Sequence, residues 1–521
     1  MKKIFSLIFI GSLVFGTSCK KYLDINANPN SATSESATPA LLLPAALTAT
    51  ASNLNGFNSY GAQLVGYMAN AGGYGGFGSS ISYNFSAADF SGRWSTTYDI
   101  LEDYQTILTK TEGDAAASYY NAVARIMKAH SFQLLVDAYN DVPYTEALKG
   151  GENLTPAYTD AKVIYKDLAD QLDKAITTIK TGNSTAGTIP LSTADVMFGG
   201  DMTKWIQFAN TLKLRIILHA NGKVTFSNTN FDAAGFLTTD AMINPGYTRD
   251  NGRQNPKWNT WAFSYTGADG NKAWMPNTFV FSFYNGTKLT DPARGTALYY
   301  KYPNTGTNRL GVEGTSIPSS PSGSFWYPST NRTGTSAGST TGVLKGPGAS
   351  MPVITAAESY FLQAEAVVRG IITGNAATLF NNGITASFKY LYLLPDGTTS
   401  GNPTADATTY MTNNNTSYLV NFALATTTAQ QIEAIITQKY IALNMVNSEE
   451  AWNEYRRTHY PAIISTAGAT GTQTFASSVS ESTAPDKLPT RILYPSNEGS
   501  LNTANVPRGI SPYTSKIFWA L

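Results

Sequence analysis

Apolar residues recur at steps of three and four along much of this chain, most clearly between Gln431 and Pro461. Ile432, Ile435, Ile436, Tyr440 and Leu443 fall on one stripe, which predicts a helix that packs on a neighbour. A second helix is predicted at once: Ser448 as its N-cap, Glu449 and Glu450 in the first turn, and Arg456 and Arg457 in the last, each charge where the helix dipole favours it. Two helices joined by a few residues form a hairpin that buries its apolar faces only by stacking on others. The same spacing predicts helices over Ala40–Met68, with a break near Asn53–Gly56, and over Trp94–Lys110. Asp114 is expected to cap the next helix, with Val123, Ile126, Met127, His130 and Leu134 on one face. Further helices are expected around Tyr165–Ile179, Thr203–Ala220, Thr355–Gly370 and Ala377–Tyr392, with Glu365 and Arg369 spaced for an ion pair. The fold class is therefore mainly α, built of helical pairs of about tetratricopeptide length.

The pattern fails in three places. Asn70–Phe85 is a Gly-rich loop carrying Tyr74, Phe77, Tyr83 and Phe85, and the chain after Pro461 is irregular. Asn221–Ser350, about 130 residues without helical period, is far longer than an ordinary connection, which marks function or disorder. Four tryptophans there, Trp258, Trp261, Trp274 and Trp326, with Tyr327, argue against disorder. The expected organisation is an N-terminal helical region 39–220, a loop-rich binding region 221–350, a C-terminal helical region 351–460 and an irregular segment 461–521 packed on the scaffold.

Composition narrows the function. Lys plus Arg is 36 against 35 for Asp plus Glu, so no field favours nucleic acid. Charged residues are only 14% and aromatics 12%, a surface suited to uncharged polar ligands, where flat rings give area and amides give hydrogen bonds. There is no G-x-S-x-G, P-loop or H-E-x-x-H motif and no paired-cysteine spacing. His130 and His219 sit on apolar helix faces and read as core side chains, as do Trp94, Trp205 and Trp452. The loop indoles lack that explanation, so Trp258, Trp261, Trp274, Trp326, Tyr327, Tyr74, Phe77 and Tyr83 are the candidate ligand-binding rings. No catalytic residue, metal site or cofactor is expected, although a glycosidase would need only two acids brought together by the fold.

At the N-terminus, Lys2 and Lys3 precede an apolar run, Ile4–Phe15, and small residues before Cys19, the only cysteine. This is an export signal, and it resembles a bacterial lipoprotein signal with Gly16 where Leu is usual. With SCKKYLDINANPN, NDVPYTEALKG, WIQFANTLKLRI, LTDPARG, AAESYFLQAEAVVRG, ITQKYIALNMVNSEEAWNEYRRTHYP and PTRILYPSNEGSLN in order, the chain resembles a SusD/RagB outer-membrane lipoprotein of Bacteroidota. Ala293 in LTDPARG and His459, where Gly is common, depart from that pattern. The resemblance implies a signal peptide over 1–18 and a lipidated N-terminus and tether over 19–38, with Cys19 acylated. It implies about four tetratricopeptide-like pairs under a loop-rich face. It also implies a non-enzymatic, surface-exposed protein that captures glycans, or in some members peptides, and passes them to a SusC-like TonB-dependent transporter. A surface hydrolase and a structural adhesin are the rivals. The expected outcome for the anchor is that Cys19→Ala abolishes palmitate incorporation and releases the protein from the outer-membrane fraction.

Overall fold

A computed structural model describes residues 37–521; the signal peptide, Cys19 and all but the end of the tether lie outside the described residues. Ten helices carry the scaffold: α1 (Pro39–Leu64), α2 (Ser91–Lys110), α3 (Ser118–Tyr139), α4 (Ala161–Ser184), α5 (Met202–His219), α6 (Ala356–Val368), α7 (Ala376–Tyr392), α8 (Pro403–Asn413), α9 (Thr428–Leu443) and α10 (Ser448–Thr458). Four tetratricopeptide-like pairs result, α1 with α2, α3 with α4, α6 with α7 and α9 with α10, while α5 packs on both α4 and α6. Among the described residues no helix is long and apolar enough to cross a membrane.

Local sequence accounts for most helix starts. Asp160, Asp201, Thr355 and Asn375 each accept backbone N–H bonds at an N-cap, and Thr427 forms a capping box with Gln430. Three expectations are corrected. Asn447, not Ser448, caps α10, accepting from the Glu450 N–H. Asp114 accepts from Ala116 in a turn, and α3 begins only at Ser118. α1 runs unbroken through Asn53–Gly56 because its buried amides find partners on other helices. Asn53 donates to Thr97 Oγ1 (2.9 Å), Asn55 donates to Thr260 Oγ1 (2.9 Å), and Asn58 Oδ1 accepts from the Ser448 N–H (3.0 Å). Gly61 lets α1 cross α10 backbone to backbone: a Cβ there would stand 2.4 Å from Glu449 N. His459 ends α10 in the left-handed region at φ 59°, which explains why a Gly suits that position.

The long aperiodic stretch is ordered around short helices at Pro256–Trp261, Thr278–Phe281 and Pro292–Leu298, and around two of the three two-stranded antiparallel ribbons, each shared with a distant segment. β1 (Met68–Asn70) pairs with β5 (Trp274–Pro276), and β4 (Ala241–Ile243) with β6 (Met351–Ile354); the third ribbon joins β2 (Val142–Pro143) to β3 (Tyr158–Thr159). The C-terminal segment closes on α10, where Trp519 is buried and the Leu521 N–H donates to Arg456 O (3.0 Å).

A buried network of charges joins the two helical regions. Lys439 Nζ lies 2.6 Å from both Glu450 and Glu454, and His219 bridges Glu450 (3.2 Å) and Asp137 (3.4 Å). Arg457 reaches Glu365 at 2.6 Å, Arg369 pairs with the same acid at 2.7 Å as its spacing predicts, and Arg215 meets Glu358 at 3.0 Å. Burial pulls the His219 pKa down, but Glu450 and Asp137 outweigh it and hold the imidazole up at about 9. Burial pushes Glu365 up, but Arg457 and Arg369 prevail and hold it down to about 2. Glu449 is different: both its carboxylate oxygens are buried without a partner, and burial pushes it up to about 8.

These shifts give stability a direction in pH. The folded chain keeps the Glu449 proton that the unfolded chain loses between pH 4.5 and about 8, and the His219 proton that the unfolded chain loses between 6.5 and about 9. Both contributions make stability fall as pH rises across those windows, whereas the Glu365 contribution is complete above pH 4.5 and fades only toward about 2. Melting temperature is therefore expected to drop from pH 5.5 to pH 9, and Glu449→Gln to flatten that drop; an unchanged slope in the variant would remove Glu449 from the account.

Candidate functional site

The loop indoles do not face outward. Trp258, Trp261 and Trp326 are at most 2% exposed, Trp274 is 7%, and Tyr327 and Tyr83 are equally enclosed, so the expectation that these rings present stacking faces is corrected. Trp258 meets Tyr327 edge-on at 5.3 Å, and Trp261 meets Trp326 at 6.0 Å. The physical reason is that an irregular segment has no repeating face to bury, so its stability comes from a few large side chains packed on each other and on α1. Trp94, Trp205 and Trp452 are core residues, as their helical spacing predicts.

Tyr74 and Phe77 remain at the surface. Tyr74 is 47% exposed at the tip of the Gly-rich loop, and Phe77 is half-buried with its ring edge-on to Trp274 at 5.4 Å. Trp274 thus props up a surface ring from below. The loop is docked at one end: Gly72 N–H donates to Pro318 O (2.9 Å), and a Cβ on Gly72 would stand 1.9 Å from Ile317 O. Beyond Gly73 no neighbouring atom approaches within 4 Å of a Cβ built at Gly75, Gly76 or Gly78, so the tip stands free.

Beside the loop lies a pocket of about 310 Å³, lined by Tyr300, Lys301, Asn304, Pro318, Pro321 and Phe325 among others. Phe325 packs with Ala71 and Met275, which ties this pocket to the base of the Gly-rich loop. Arg332 holds the Tyr300 ring, its guanidinium 3.9 Å from the centroid. Tyr300 and Phe325 escape sequence reading because nothing local separates them from the many other loop aromatics. Only the approach of residues near 72 to those near 318 marks them.

The helical core holds a second group of acids and histidines, away from the loop face. His219, Glu450 and Glu454 could present ligand atoms within 4.8 Å of one another, but the Lys439 ammonium sits between the two carboxylates and supplies the positive charge there. His130 is buried, and burial lowers it to about 3, so it is neutral. Glu358, Glu365, Glu449, Glu450 and Glu454 are all enclosed in the helical core.

Residues 29–495 match a SusD-like family profile described as starch-binding and associating with the outer membrane. No curated protein matches the chain. Similar solved structures include a SusD homologue of Bacteroides uniformis, 22% identical, with the match covering 92% of this chain and 99% of that one at a TM-score of 0.65. A SusD/RagB family protein of Bacteroides thetaiotaomicron is 18% identical, covering 93% and 99% at 0.66. A chitin-binding SusD homologue of Flavobacterium johnsoniae is 20% identical, covering 91% and 98% at 0.63.

Trp326→Ala is expected to destabilise the fold by about 3–5 kcal/mol, as removal of a buried indole does, while Tyr74→Ala leaves stability within about 0.5 kcal/mol. Chemical denaturation of the two variants checks both.

Proposed function

The chain belongs to the SusD-like family of outer-membrane-associated, starch-binding proteins, and from that premise we propose that it captures oligosaccharides at the cell surface and delivers them to a SusC-like TonB-dependent transporter. It acts by binding and not by catalysis. The observation that carries this reading is the Gly-rich tip with its exposed Tyr74 and half-buried Phe77 beside the pocket of Tyr300 and Phe325. Ring faces stack on the C–H surface of a sugar, and Lys301 and Asn304 offer hydrogen bonds to its hydroxyls. Glycine joints allow the tip to settle on a chain of sugars without steric cost.

The lipid on Cys19 would hold the protein at the membrane, and release into the barrel would follow closure of the complex. Capture of peptides and structural adhesion have no observation that favours them over this reading. A hydrolase would need two acids in an open cleft at a separation of roughly 5 to 10 Å, and the helical acids described above are sealed inside.

Because two similar structures are described as chitin-binding, chitohexaose is the first ligand to titrate, beside maltohexaose. Tyr74→Ala and Phe77→Ala are each expected to weaken the ligand that binds by about 0.5–1.5 kcal/mol, roughly two- to twelvefold. Wild-type affinity in both variants and in Tyr300→Ala would overturn the site. Failure of a TonB-dependent barrel to co-purify with the protein from outer membranes would overturn the delivery role.

A further inference from the structure

A second cleft, of about 440 Å³, lies between the C-terminal part of α2, the first half of α3 and the first half of α4. It shares no lining residue with the loop-face pocket. Its floor is apolar, with Phe132, Ala129 and Leu168 buried. Its wall carries two cations on consecutive turns of α3, Arg125 and Lys128. Arg125 donates to Gln171 Oε1 and to Asn121 Oδ1 (3.3 Å), and its Nε–H is buried with no acceptor. Lys128 Nζ donates to Gln105 Oε1 at 2.6 Å.

Neither cation has a carboxylate within 4.0 Å among the described residues. Asp167, the acid lining the α4 side, is already engaged: it accepts from Tyr144 Oη and from Gln171 Nε2 (3.2 Å). Burial lowers the Lys128 pKa to about 8, and Arg125 pushes the same way against the weaker pull of Asp167 and Glu102. Two adjacent cations, partly desolvated and bonded only to neutral amides, carry a cost that a bound anion would offset. The remaining wall consists of amides and hydroxyls from Gln105, Asn121, Gln171, Thr109 and Thr145, with Tyr144 above the floor and Glu112 as a second, solvent-exposed acid in the lining. That combination matches a ligand with one negative group and several hydroxyls.

We propose that this cleft is a second binding site, for a small polyhydroxylated anion of the sugar-acid class, whose carboxylate accepts from Arg125 and Lys128 while its hydroxyls pair with the surrounding amides. The volume lies at the small end of ordinary small-molecule pockets. The site is independent of the loop face and requires none of its residues.

The test is calorimetric titration of the mature chain with D-glucuronate, D-glucose and acetate. Glucuronate is expected to bind at least about tenfold more tightly than either of the others. Lys128→Gln and Arg125→Gln are each expected to weaken it about tenfold or more, Lys128→Arg to restore it, and Tyr74→Ala to leave it unchanged. Affinity is expected to fall from pH 7 to pH 9 as Lys128 loses its proton in the field of Arg125, Asp167 and Glu102. Binding of glucose as tight as glucuronate, equal binding of acetate, no binding of any probe, or wild-type affinity in a folded Lys128→Gln protein would each overturn the proposal. The chitohexaose titration reads the loop face separately, so either site can fail without the other.

Discussion

Everything in this fold hangs on a handful of charges that water never reaches. Lys439, Glu450, Glu454, His219 and Asp137 tie α3, α5, α9 and α10 together, and Arg457 with Glu365 fastens α10 to α6. Removing one partner of such a pair strands the other in a low-dielectric interior, at a cost of about 3–5 kcal/mol. An alternative packing of these helices that separated the pairs would bury the same charges unpaired, at the same cost. Residues nearly 320 positions apart, Asp137 and Asn453, are held in one polar cluster.

With the scaffold fixed in this way, the irregular segments are free to be shaped by other rules. Residues 221–350 have no periodic face, and they cohere through edge-on indoles and tyrosines that pack on one another and on α1. The consequence for function is a division of labour among aromatics. The tryptophans form the base, and the smaller Tyr74 and Phe77, mounted between glycines, meet the medium. For the proposed capture of glycans both matter, since ordering a ring on an unsupported loop costs entropy on binding.

The same separation lets one scaffold carry two unlike concave surfaces. The loop face offers rings and few charges, whereas the cleft among α2, α3 and α4 offers two cations, several amides and the acids Asp167 and Glu112. Neither depends on the other's residues.

The amino-acid sequence by itself determined nine of the ten scaffold helices, α8 being the one its pattern did not reveal. Their stripes and the Glu365–Arg369 spacing are local properties, legible because a helix repeats every 3.6 residues, and the ordered motifs from SCKKYLDINANPN to PTRILYPSNEGSLN pointed to the family. Tertiary structure alone decided which loop rings face water. Trp258 and Tyr74 read alike in sequence, yet one is 2% and the other 47% exposed, because burial outside regular structure depends on contacts between segments hundreds of residues apart. For the same reason Ser448 lost the cap to Asn447, Asn53–Gly56 stayed helical, and the core acids became a network: each outcome rests on a partner from another part of the chain.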